Sequence, residues 1–104
     1  MRIAAVIPAY NEERNIAAVV QGVRPFVSAT VVIDDGSADN TSGAAEAAGA
    51  IVLRHKLNAG KGAALKTGFR YLADSGYDGA VTIDADGQHD PVEIPLFVAA
   101  AEQG

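Results

Sequence analysis

TVVIDDGSADNT, residues 30 to 41, is a run of four β-branched residues broken at once by two acids, a glycine and a string of turn formers. So short an apolar run, bounded by turn chemistry, reads as a strand buried on both faces. The same reading applies to RIAAVI at 2 to 7, AIVL at 50 to 53 and GAVTI at 79 to 83. Between these runs the apolar spacing changes to that of helices. Ile16, Val19, Val20 and Val23 mark the first, the alanine-rich stretch 43 to 48 the second, and Leu65, Phe69 and Leu72 the third. Gly49 and Gly76 fall where a helix hands over to the next strand, a position that favours left-handed backbone. A fourth helix is expected from Asp90, with Asp90 as its cap, Pro91 in its first position and Glu93 in its first turn. The alternating string predicts an α/β fold. Its doubly wound, mostly parallel sheet carries helices on both faces, joined by right-handed crossovers.

Bulk properties bound what such a chain can do. Its 104 residues suit one domain, 1–104, without linker, repeat or low-complexity tract. With no cysteine, there is no thiolate metal site, disulfide or cysteine nucleophile, and any metal is a hard cation held by oxygen or histidine. A formal net charge of -5 gives the wrong long-range field for nucleic acid. Within that acidic chain, Arg54, Lys56, Lys61, Lys66 and Arg70 form a band with no acid between them. No apolar stretch reaches the roughly 20 residues that span a bilayer, and the N-terminus lacks the features of a signal peptide, so a cytoplasmic location is expected.

In an open parallel sheet, ligands bind outside the carboxyl ends of the strands. Here those ends run into PAYNEE (8–13), DDGSADNT (34–41), RHKLNAGKG (54–62) and DADGQHDP (84–91), so polar chemistry gathers on one edge. Asp84 and Asp86, two residues apart, project to one side if the extended backbone continues, and two carboxylates so placed call for a cation between them. With Gln88 the set suits Mg2+ or Mn2+, although the same acids could simply close a turn. Asp35 could accept hydrogen bonds from a nucleobase, or with its neighbours open the second helix. Asn11 could cap the first helix, with Glu12 and Glu13 complementing its positive end. Lys61, between two glycines at a helix start, could receive phosphate. It does not belong to a Walker loop, because His55 stands where that pattern needs glycine. His55 and His89 read as loop or surface residues.

Taken in order, PAYNEE, VIDDGSADNT, NAGKGAALKTGF and DADGQHDP resemble glycosyltransferase family 2 proteins of the GT-A fold, most of all the dolichol- or polyprenol-phosphate mannose synthases. The resemblance covers the whole chain. It implies that Pro8, Tyr10 and Glu12 line a nucleotide pocket and that Ile33 and Asp35 meet base and ribose. It places Asp84 and Ala85 beside ribose and diphosphate, makes Asp84, Asp86 and Gln88 the ligands of Mg2+ or Mn2+, and adds Lys61 to the substrate site. Gly87 departs from the bulky aliphatic residue common there. The implied reaction is inverting transfer of sugar from GDP-mannose or a UDP-sugar to an acceptor such as a polyprenyl phosphate. The family's catalytic base and acceptor loop follow the metal motif, so the resemblance nominates no catalytic base in residues 1–104 and puts it beyond Gly104. This chain is therefore expected to be the nucleotide-sugar-binding half, inactive alone and able to dimerise through an open sheet edge, of a protein that could be membrane-associated. Two rivals fit less well. A sugar-1-phosphate nucleotidyltransferase would open on a glycine-rich, arginine-containing loop, and a haloacid-dehalogenase-type phosphohydrolase would carry its paired acids on the first strand.

Overall fold

The computed structural model describes residues 2–86 and, as backbone, 92–95. Five strands form one sheet: β1 (Ile3–Ala9), β2 (Ala29–Asp35), β3 (Ile51–His55), β4 (Gly79–Thr82) and β5 (Val92–Pro95). Helices α1 (Ile16–Val23), α2 (Thr41–Ala47) and α3 (Lys61–Asp74) make the crossovers, and a 3-10 turn (Arg24–Phe26) follows α1. The strand order is β3-β2-β1-β4-β5, with the first four parallel. From β1 the chain winds outward through β2 to β3, then α3 carries it back to β4 on the other side of β1. That reversal puts α3 on one face of the sheet and α1 and α2 on the other.

Alternation along the strands builds two half-cores. Ala4, Val6, Val31 and Ile33 pack against Ala64 and Leu72 of α3. Their neighbours Ile7, Ala9 and Val32 point the other way, onto Ile16, Val20, Ala45 and Ala48. Gly68 brings α3 close to the sheet: a Cβ there would lie 2.7 Å from Val6 Cγ1 and 2.8 Å from Ile33 Cδ1. Gly49 and Gly76 have φ of 102° and 82°, the left-handed geometry expected of them at the helix exits.

Two expectations are corrected. The first and second strands run two residues past their predicted ends, so Pro8, Ala9, Asp34 and Asp35 are strand residues. The helix expected from Asp90 is absent where it can be tested, because Val92–Pro95 forms a strand antiparallel to β4. Pro95 explains this, since in a helix begun at Pro91 its ring would clash with the carbonyl four residues back. At a sheet edge a proline costs no ladder bond, and Val92 and Ile94 favour extended backbone. Asp90 and Pro91 themselves lie outside the described residues. No helix among those described is long and apolar enough to cross a membrane.

Candidate functional site

The strand order reverses between β1 and β4, which opens a crevice at their carboxyl ends. A cleft of about 120 Å³ lies there, lined by Pro8 and Ala9 from β1, Tyr10 just after it, Asp35 from β2, Lys61 and Ala64 from α3, and Asp84 after β4. Three strand ends and one helix start thus contribute to one surface.

Because side chains alternate, the adjacent acids of β2 face opposite ways and have different tasks. Asp34, fully buried, accepts hydrogen bonds from Ser37 N (2.9 Å), from the Ser42 hydroxyl and from Arg54 Nη1 (2.8 Å). Arg54 also donates to the Ser37 carbonyl, so this carboxylate organises the loop after β2. Asp35 lies on the α3 face, 4% exposed. Its Oδ1 meets His55 Nδ1 at 2.7 Å and accepts from Ala59 N at 2.9 Å, while Oδ2 accepts from Gly60 N at 2.8 Å. Burial pushes both carboxyls up. For Asp34 the bonds from Ser37 and Ser42 and the charge of Arg54 outweigh it, for Asp35 those from His55, Ala59 and Gly60, and both are held below the ordinary 3.8.

A depressed folded-state value adds stability above the ordinary carboxylate range that is lost as pH falls through the depressed value. The unfolding midpoint is therefore expected to hold level down to about pH 5 and to fall below about pH 4. Thermal melts across that range check this, and Asp34→Asn is expected to flatten the acid limb. A midpoint that fell equally between neutral and mildly acid pH would contradict it.

Lys61 Nζ lies 2.7 Å from Asp84 Oδ1 at the mouth of the cleft, which sets a cation against the carboxylate that the sequence nominated for metal. β4 ends at Thr82 and Ala85–Asp86 lie in a turn, so the extended alternation expected to align Asp84 with Asp86 does not hold. Asp86 is exposed, and Gln88 and His89 lie outside the described residues. So does Gly104, beyond which the catalytic base is expected, and that expectation stays one of sequence. Among the described residues no three histidine, cysteine or acidic side chains converge on a point.

The remaining nominated residues divide. Pro8 and Tyr10, the latter half-exposed, line the cleft. Ile33 does not: its side chain is fully buried under α3, because its parity points it into the core. Ala85 is buried against the α1/α2 face. Glu12 is half-buried, and its carboxylate accepts from Asn15 Nδ2 at 3.0 Å, outside the cleft lining. Asn11 does not cap α1, which begins at Ile16. It takes a left-handed φ of 54° and joins two loops. Its N–H donates to Ser37 Oγ and its Oδ1 accepts from Ala38 N, each at 2.8 Å, while Glu12 N donates to Thr41 Oγ1 at 2.9 Å.

One residue was misjudged from sequence. His55 is neither loop nor surface but the last residue of β3, in register with Asp35 across the parallel ladder. A strand followed by RH beside a strand ending in DD was the available signal, but it needs the register to be read.

The doubly wound sheet thus carries a carboxylate-rimmed cleft at its switch point, the place where open α/β sheets take their ligands. The model of the family described as Glycosyl transferase family 2 matches residues 4–104, and the chain belongs to that family. It is 42% identical over 97 residues to an uncharacterized protein of Methanocaldococcus jannaschii, covering 92% of this chain and 40% of that one. With the undecaprenyl-phosphate mannosyltransferase of Micrococcus luteus it shares 36% identity over 107 residues, 96% of this chain and 44% of the relative. Its fold matches the glucosyl-3-phosphoglycerate synthase of Mycobacterium tuberculosis, crystallised with Mn2+, UDP-glucose and phosphoglyceric acid. The TM-score is 0.67 at 36% identity, over 81% of this chain and 33% of that one. The chain thus spans less than half the length of these relatives.

Proposed function

We propose that this chain supplies the donor-binding half of a divalent-metal-dependent, inverting glycosyltransferase that uses a nucleoside-diphosphate sugar. The observation that carries the reading is the convergence of Asp35, Lys61 and Asp84 on one cleft at the switch point. Asp35 Oδ2 carries a single hydrogen bond and has acceptor capacity left for a base N–H. Lys61 opens α3, whose first turn has no side-chain cap, so its ammonium and the helix's initial N–H groups suit a diphosphate. Tyr10 offers an exposed ring face at the rim.

The donor set fits a hard cation. Asp84 is a carboxylate already set against positive charge, and the described residues provide no all-protein cage. Mg2+ and Mn2+ suit such a place, because they take one or two carboxylates and complete their shell with water and phosphate oxygens. Asp84, Asp86 and Gln88 would hold the ion, which when bound would neutralise charge developing on a departing diphosphate. Asp35 fixes the nucleoside, and Lys61 steadies the phosphates as the acceptor attacks the anomeric carbon from the opposite face. A polyprenyl phosphate is the acceptor class we favour, on the likeness to the Micrococcus luteus enzyme. Such an acceptor arrives already ionised and needs little deprotonation.

Calorimetric titration with UDP and with GDP, each with and without Mn2+, tests the reading. Binding is expected to tighten at least about tenfold with the metal and to lose that gain in Asp86→Ala. Affinity indifferent to metal would sink it.

A further inference from the structure

His55 sits one contact behind the cleft, and both of its ring nitrogens are engaged. Asp35 is held as a carboxylate and can only accept, so the 2.7 Å contact to Nδ1 requires a proton on that nitrogen. On the other side, Nε2 lies 2.8 Å from Thr67 Oγ1. The same hydroxyl lies 3.1 Å from the Ala63 carbonyl within α3, which anchors it to the helix. With Nδ1 donating to Asp35, the contact between Nε2 and the Thr67 hydroxyl holds the ring from its other side. The imidazole joins three elements: β3, which carries it, β2 through Asp35, and α3 through Thr67. Asp35 in turn accepts the N–H groups of Ala59 and Gly60, which set the start of α3 where Lys61 stands.

We infer that His55 is a positioning residue for the nucleotide site, a ring held from both sides that fixes the Asp35 carboxylate relative to α3. By loading Oδ1 with its own hydrogen bond beside that of Ala59, the ring leaves Oδ2 as the oxygen with room for a ligand. A carboxylate so anchored cannot rotate to present either oxygen at random, so the base meets a preset acceptor. Thr67 is the anchor for the ring, and its hydroxyl rather than its bulk is what the arrangement uses. This inference rests on the nucleotide-binding reading above.

Two measurements on the full chain test it. In long-range 1H–15N correlation spectra of histidine-labelled protein at neutral pH, His55, assigned by its loss in His55→Gln, is expected to show a protonated Nδ1. A bare Nδ1 overturns the arrangement. In calorimetry with UDP and Mn2+, His55→Ala is expected to weaken binding about tenfold. His55→Gln, which keeps one amide donor, is expected to recover part of the loss, and Thr67→Val to weaken binding several-fold while Thr67→Ser does not. If the parent chain binds UDP and His55→Ala binds it equally well, the inference fails alone. If the parent chain binds neither UDP nor GDP, the nucleotide reading fails and takes this inference with it.

Discussion

Gly36→Ala is expected to lower the stability of the chain by about 3 kcal/mol, read as a shifted chemical-denaturation midpoint at unchanged slope. Two costs combine. Gly36 has φ of 78°, where a side chain costs about 1–2 kcal/mol. A Cβ there would also lie 2.6 Å from Asn58 N and 2.8 Å from the Leu57 carbonyl carbon. Both are backbone atoms, so relief requires the 57–60 segment to move rather than a rotamer to change. That segment gives Asp35 two of its hydrogen bonds, so the substitution is expected to weaken UDP binding as well. A loss below about 1 kcal/mol would mean that the loop yields easily and that its contact with Gly36 does not hold the site.

Asp84→Ala is expected to have the opposite profile, a large effect on binding with little on folding. Its partner Lys61 is 64% exposed, and an ion pair so open to water adds little stability. The Mn2+-dependent gain in UDP affinity, however, is expected to vanish, a loss on the order of 100-fold. Binding without metal is expected to persist, since the substitution releases Lys61 for the diphosphate and removes a negative charge from its approach. Calorimetry with and without Mn2+ separates the two terms. If metal-dependent binding survives in Asp84→Ala, this carboxylate is not a ligand.

Much of the architecture was legible because it rests on local chemistry. Short β-branched runs at 30–33 and 79–83 can be little but buried strands, and Gly49 and Gly76 mark helix exits through their backbone geometry. Parallel winding then follows from the alternation, and with it the expected gathering of Glu12, Asp35, Lys61 and Asp86 at one edge, of which Asp35 and Lys61 line the cleft and Glu12 and Asp86 do not. What escaped was set by register and parity. A two-residue extension of β2 decides that Asp34 faces α2, that Asp35 faces α3 and that Ile33 is core. The role of His55 depends on its lying opposite Asp35, and apolar runs do not specify how one strand slides against another. At the C-terminal end, Asp90, Pro91 and Glu93 are residues that loops also use, and Pro95 outweighed them.

The antiparallel return of β5 has a consequence for adaptability. Each helical crossover leaves the cleft end of the sheet and comes back at its far end, but Thr82 and Val92 are direct partners. The chain thus leaves the cleft end of the sheet at Thr82 and is back beside it at Val92, two feet nailed together by the ladder. Closing a tethered loop depends only weakly on its length, with each doubling adding about 0.6 kcal/mol. Insertions between these two feet are therefore expected to cost the sheet little.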